Sequence, residues 1–420
     1  MVSGGPFGLE ELIGNAGYAM SVLVLVIVPL LWSFPTALMV SELSSAIPRD
    51  GGYYVWVTRA LGPFWGFQEA WLSLFSSIFD MAIYPTVFVL YASRLWPVLQ
   101  NEQAGLALGA VMILICTLWN LRGARLVGNS AVVLGLVLMT PFLIMAAKVL
   151  LSPASWHSTS SAGSGTLLTG VLVAMWNFMG WDNASTIAAE VENPQKTYSR
   201  AMLSSALLVA IAYLIPVLAC WRAGIGSAGW TTGSWASAAQ TIAGPWAFLG
   251  VVLGGMIFGI GMFNSLALSY TRVPYAMAED GWLPSFFLRL NRHGVPWISV
   301  IACSIGWVLA LTLGFVKLIE LDIAVYGLSL VLEFVALVAL RIKEPGLPRP
   351  FRVRGGITGC VLAGLGPTLL IGLAIADSLH RQTTIWGWTF NNLAVATAIV
   401  VCGPLQYWIA THKSFGLKSL

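Results

Sequence analysis

The 420-residue sequence is 58% hydrophobic and only 9% charged, with a mean hydropathy of +0.82, whereas soluble domains carry roughly 25% charged residues. That composition excludes a mainly water-facing surface and requires a lipid bilayer as solvent. The formal net charge of +4 follows from the basic loops described below, so no nucleic-acid partner is expected.

A helix that crosses a bilayer needs about 20 mostly apolar residues. The extreme start, Ser3-Gly4-Gly5-Pro6-Phe7-Gly8, is a glycine- and proline-rich interruption with a predicted half-helix at 9–17 behind it, and no charged residue lies between Glu11 and Glu42. Further apolar runs occupy 68–93, with Asp80 inside it, then 103–121, 126–147, 167–189, 201–221, 245–271, 296–316, 323–340, 357–376 and 388–411. Eleven full spans preceded by an incomplete one are therefore predicted. Long continuous runs make an all-α polytopic protein, because barrel strands read as short alternating segments.

Inside the run at 167–189, Trp176-Asn177-Phe178-Met179-Gly180-Trp181-Asp182-Asn183 sets a glycine and three polar residues into an apolar helix. Unwound backbone at membrane depth is tolerated only where protein or a cavity satisfies it. This second break lies half a chain from the first, at spans 1 and 6. Two readings stand: glycine and proline are simply frequent in membrane helices, or the chain is an inverted repeat of five plus five helices. The second reading makes 1–151 the first repeat, lacking half of its first helix, 167–341 the second, and 357–411 two added helices. The broken helices would meet at the midplane, their N-termini facing an anionic group and their carbonyls a cation.

Lys and Arg in short loops mark the cytoplasmic side. Sixteen of the 21, from Arg49 to Lys418, fall in one set of alternate loops, and Arg94, Lys148, Arg222, Lys317 and Arg381 in the other. The C-terminus and the loops after spans 2, 4, 6, 8 and 10 are thus expected inside. The five cysteines are scattered singly and read as packing residues. No HExxH and no GxxxxGK[ST] occurs, so neither a metal, a cofactor nor enzymatic chemistry is expected.

Acids inside a membrane are costly and tend to face a cavity or a partner. Asp80, Asp182 and Glu333 read as the three deepest. Asp182 adjoins the second break and either contacts a substrate ammonium, carries a proton, or caps the following half-helix. Asp80 and Tyr84 share a helix face, lining one pocket or forming a buried pair without ligand. Glu333 is a candidate for a second amine or a proton. Asn177, Gly180, Trp176 and Trp181 belong to the second break, where aromatic faces would add cation–π attraction. Ser3, Gly4, Gly5 and Gly8 form the first break, with Phe7 as a lid. Glu10 and Glu11 suit the dipole at a helix start. Glu42, Arg49 and the Gly51-Gly52 pair are placed to latch an inner gate. Asn264 and Ser265, near Gly259 and Gly261, either offer oxygens to a solute or hold helices together.

The segments SGGPFGLEE (3–11), SELSSAIPRDGGYY (41–54), VWVTRALGPFWGFQ (55–68), DMAIYP (80–85), Trp181-Asp182 and EVENPQKT (190–197) resemble the amino acid/polyamine/organocation transporters, nearest to the polyamine-uptake type. The resemblance implies a LeuT-like fold of about 12 helices and transport usually driven by protons. It also implies a cytoplasmic tail and half-helix before the first break, which this sequence does not carry ahead of Ser3. The expected function is proton-coupled uptake of polyamines or amino acids through the plasma membrane by alternating access. An amino acid exchanger is the alternative, and a non-transporting solute sensor a more remote one.

Overall fold

The computed structural model describes residues 5–49, 51–123, 125–152, 163, 165–191, 193–385 and 388–417. In chain order it contains α1 (Glu10–Val28), α2 (Phe34–Ala46), α3 (Gly52–Leu61), α4 (Pro63–Ala92), α5 (Glu102–Asn120), α6 (Arg125–Leu151) and α7 (Leu167–Asn177). Then follow α8 (Pro194–Arg222), α9 (Ser234–Ala243), α10 (Pro245–Tyr270), α11 (Arg272–Glu279), α12 (Trp297–Ala310), α13 (Phe315–Lys343), α14 (Gly356–Ser378), an antiparallel hairpin of β1 (Gln382–Ile385) and β2 (Trp388–Asn391), and α15 (Asn392–Leu417). Among the described residues eight helical stretches are long and apolar enough to cross a membrane, with shorter apolar ones at Gly135–Leu151 and Trp297–Leu313. The protein is a polytopic α-helical membrane protein.

The half-helix expected at 9–17 ends as expected, at Gly17 (φ 72°, ψ 170°), which breaks α1 after its first two turns; beyond it the helix passes through a π-helical turn, Pro29–Ser33, into α2. Pro29 opens that turn, lacking the N–H that an unbroken α-helix would use. Two other boundaries differ from the sequence reading. The run at 323–340 begins too late: α13 starts at Phe315, which brings Glu320 and Asp322 inside the helix. The run at 388–411 begins too early, since Trp388–Asn391 is a strand and the helix opens at Asn392.

The helix that carries most of the polar interior, α4, is gripped by α10 and α13. Its approach to α10 depends on two glycines one turn apart: a Cβ on Gly255 would come within 2.4 Å of the Tyr91 ring, and one on Gly259 within 2.7 Å of the Tyr84 carbonyl oxygen. Small residues spaced this way let membrane helices come close enough to gain dispersion contacts. At one end of the bundle the loops are basic and laced together: Arg59 pairs with Glu344 at 2.6 Å, and Lys343 Nζ donates to the Ala60 carbonyl at 2.7 Å. At the opposite end Arg381 joins Glu320 and Asp377, each at 2.7 Å.

Candidate functional site

The second break is real geometry. α7 ends at Asn177, Gly180 takes φ 87°, and a 3-10 helix runs over Asp182–Glu190. Only glycine reaches that left-handed conformation without a Cβ penalty. The carbonyls freed here are taken by the protein: Tyr213 Oη donates to Asn177 O at 2.8 Å, and Trp181 Nε1 to Phe178 O at 2.8 Å. The Asn177 amide donates to Val173 O.

Beside the break lies a cavity of about 10 Å³, room for little more than one water-sized sphere, lined by Asp80, Tyr84, Trp176, Met179, Gly180, Asn183, Leu266 and Tyr270. Asp80 is its electrostatic centre. Its carboxylate accepts from Tyr84 Oη at 3.1 Å, Trp176 Nε1 at 3.1 Å and Tyr270 Oη at 3.0 Å. These are neutral donors, and none of the eight lining residues is basic. Asp182, the first choice from sequence, does not line this space: Tyr326 Oη donates to its Oδ1 at 2.5 Å.

At the first break, Ser3 and Gly4 lie outside the described residues. Gly5 and Gly8 have φ of 126° and 97°, and a Cβ on Gly8 would meet Trp176 at 2.9 Å and Phe315 at 3.1 Å. The two breaks therefore touch. Phe7 is fully buried, stacked on Phe258 and edge-on to Tyr91 and Phe142. The free N–H of this break is taken by the chain's own acid: Gly8 N donates to Glu10 Oε2 at 2.7 Å, while Glu10 Oε1 accepts from Gly233 N at 2.9 Å and from Tyr91 Oη. Glu11 binds Thr232 N at 3.0 Å. Glu10 thus ties the half-helix to α4 and to the start of α9.

The remaining candidates separate. Glu42 joins Arg341 through two 2.6 Å bonds, Arg349 at 3.3 Å and Val353 N at 2.7 Å, whereas Arg49 is exposed. Gly51 N donates to Thr186 O at 3.1 Å, and Gly52 lies against Ser185, so this loop docks on the 3-10 segment after the break. Asn264 accepts from Asn120 Nδ2 at 2.8 Å and donates to Ile260 O, fastening α5 to α10 away from the cavity. Ser265 Oγ turns back to Gly261 O.

Asp80, Asp182 and Glu333 are not alone at depth. Glu10, Glu69 and Asp322 are each no more than 4% exposed. Ser76 Oγ donates to Asp322 Oδ1 at 2.6 Å, and Ser73 Oγ to Glu69 Oε1 at 3.3 Å. The missed signal was an acid two turns inside each true helix end. Asp322 falls just outside the run at 323–340, and Glu69 is the second residue of the run at 68–93. No group of three or more metal-ligating side chains occurs among the described residues.

The chain matches the amino acid permease family model over residues 1–403. It is 35% identical over 413 residues to the polyamine transporter RMV1 of Arabidopsis thaliana, covering 96% of this chain and 82% of that protein. With the polyamine transporter PUT1 of Oryza sativa subsp. japonica it shares 36% identity over 416 residues, 97% of this chain and 76% of that one. An uncharacterized transporter of Legionella pneumophila is 26% identical over 366 residues.

Proposed function

This chain belongs to the amino acid permease family, and from that premise we propose that it carries polyamines across the membrane, coupled to protons, by alternating access. Membership and relatives make it a transporter of polyamines or amino acids rather than an enzyme. The observation that favours polyamines is the occupation of the first break. A half-helix N-terminus at such a break is where a transporter of this architecture receives a substrate carboxylate, and here Glu10 fills that role from within. The cavity offers Asp80 to an ammonium and no basic side chain to a carboxylate. An amine without a carboxylate is the solute that suits both facts.

In this reading the described conformation is closed on both sides. Glu10, Tyr91 and α9 seal one end, with Phe7 beneath them. The loop at Gly51-Gly52 seals the other against Ser185 and Thr186. The cavity must widen for solute to enter, which needs the turn at 178–181 to part from α4 and α10. The basic end is cytoplasmic by the distribution of Lys and Arg, and the membrane is the plasma membrane. Inverted five-plus-five repeats account for two breaks half a chain apart meeting through Gly8 and Trp176.

Uptake of labelled putrescine into proteoliposomes under an inward proton gradient tests the proposal. Saturable accumulation that collapses with a protonophore, and that Asp80→Asn lowers by about thirtyfold or more, is expected. Movement only in exchange for internal amino acid would replace it with the exchanger.

A further inference from the structure

Building on the polyamine reading, we infer that Glu69 and Glu333, with Tyr53, form a second ammonium site displaced from Asp80 towards the basic end, which takes the distal amine of a long polyamine. α4 and α13 lie side by side, joined where Ser76 meets Asp322. From that meeting point Ser76 back to Glu69 is two turns of α4, roughly 10 Å, and Asp322 on to Glu333 is three turns of α13, roughly 16 Å, at the α-helical rise. Both acids therefore lie on the same side of the Asp80 layer, within about one turn of each other in depth.

Glu333 is fully buried, and neither of its oxygens has a hydrogen-bond partner among the described residues. Glu69 is also fully buried; among the described residues its Oε2 and the hydroxyl of fully buried Tyr53 have only the Ser329 and Ser73 hydroxyls nearby, neither in hydrogen-bonding geometry to them. The three groups lie within electrostatic reach of one another and of Asp182, and among the described residues no basic group bears on them. Buried polar atoms in folded proteins nearly always find a partner, and a departure calls for an explanation. Buried carboxylates without a cation are costlier still.

A primary ammonium carries three N–H donors and no acceptor. Glu333 Oε1 and Oε2 and Glu69 Oε2 supply three acceptors, and Tyr53 Oη a fourth. Tyr326, one turn beyond Asp322 towards Glu333, packs near the Trp32 ring, 6.3 Å between centroids, and its hydroxyl donates to Asp182. Asp182 interacts electrostatically with Asp80 on one side and with Glu69 and Glu333 on the other. A tetraamine chain such as spermine, lying along α4, would meet a carboxylate at each end and one between. Putrescine is too short to reach both layers.

The test compares KM for spermine and for putrescine in proteoliposomes holding the full-length wild type, Glu333→Gln, Glu69→Gln and the conservative Glu333→Asp. The expected result is a spermine KM raised about tenfold or more in each Gln variant, with putrescine KM changed less than about twofold and partial rescue by Asp. Thermal stability of the purified variants should hold or rise, because each Gln removes an uncompensated buried carboxylate. Equal loss for both solutes, or a change in proton dependence with both KM values intact, would overturn the second site and leave the polyamine reading standing. A wild type that moves no polyamine overturns both.

Discussion

Glu42 and Glu333 are two glutamates with no exposed surface, on neighbouring helices of the same half of the bundle, and their surroundings are opposite. Glu42 is saturated: two guanidinium groups and a backbone N–H converge on its oxygens, tying α2 to the end of α13 and to the strand of chain beyond it. Glu333 has no hydrogen-bond partner among the described residues. Burial alone therefore does not mark a working acid. What separates them is saturation: a carboxylate whose acceptor sites the protein has filled, like Glu42 or Glu10, is part of the architecture. In the proposed reading, one that faces the cavity without a cation, like Asp80, or that has no partner, like Glu333, is left to a mobile cation.

That contrast is broken most directly at Glu42. Glu42→Ala should cost about 3–5 kcal/mol, because two buried arginines lose their counter-charge, read as a large fall in the thermal midpoint of the detergent-purified protein. Glu333→Ala, measured the same way, should show no comparable loss; the reverse ranking would end the distinction. Next comes Asp80→Asn, expected to lower kcat/KM for polyamine by an amount equivalent to about 2–4 kcal/mol through loss of a buried charge contact, with the fold retained. Gly259→Ala should destabilise by about 1–3 kcal/mol, since overpacking forces α10 from α4 at a contact already closed to 2.7 Å. A neutral result there would mean that the two helices can slide.

The smallest effect belongs to the exposed Arg59–Glu344 pair, worth below about 1 kcal/mol. Arg59 holds the Glu344 carboxyl below its ordinary value of 4.5. Its contribution is thus complete above that value and fades as pH falls through the lowered one. Arg59→Ala should leave the thermal midpoint at neutral pH nearly unchanged, with whatever difference exists vanishing in acid.

Most of the membrane architecture was legible, because apolar runs are set by bilayer thickness and need no tertiary knowledge. So were both breaks, where glycine and polar residues interrupt those runs, and the Asp80–Tyr84 pair, which follows from helical periodicity alone. Asp322 and the weight of Glu69 were not. Asp322 follows Lys317 and Glu320 just outside the run at 323–340, a margin that hydropathy trims away until α13 is seen to begin at Phe315; Glu69 lies inside the run at 68–93 but at its edge, and only α4 beginning at Pro63 makes it interior. The partners of Glu42 were hidden for a different reason: Arg341 lies 299 residues away, and nothing local selects it over nearby Arg49. Glu10 looked like a residue favoured by a helix dipole, and its reach to Gly233 across the fold gives it another meaning.

The central claim is that the chain's own carboxylate at the first break leaves the site fit for an amine and unfit for an amino acid. Putrescine and ornithine test it cleanly, since they differ by one carboxylate. Initial uptake rates of the two labelled solutes, measured in the same proteoliposomes under the same proton gradient, should favour putrescine by about a hundredfold, the difference made by an uncompensated charge in a dry site. Ornithine taken up as well as putrescine, or better, would contradict the claim and return the first break to the role of a substrate-carboxylate site.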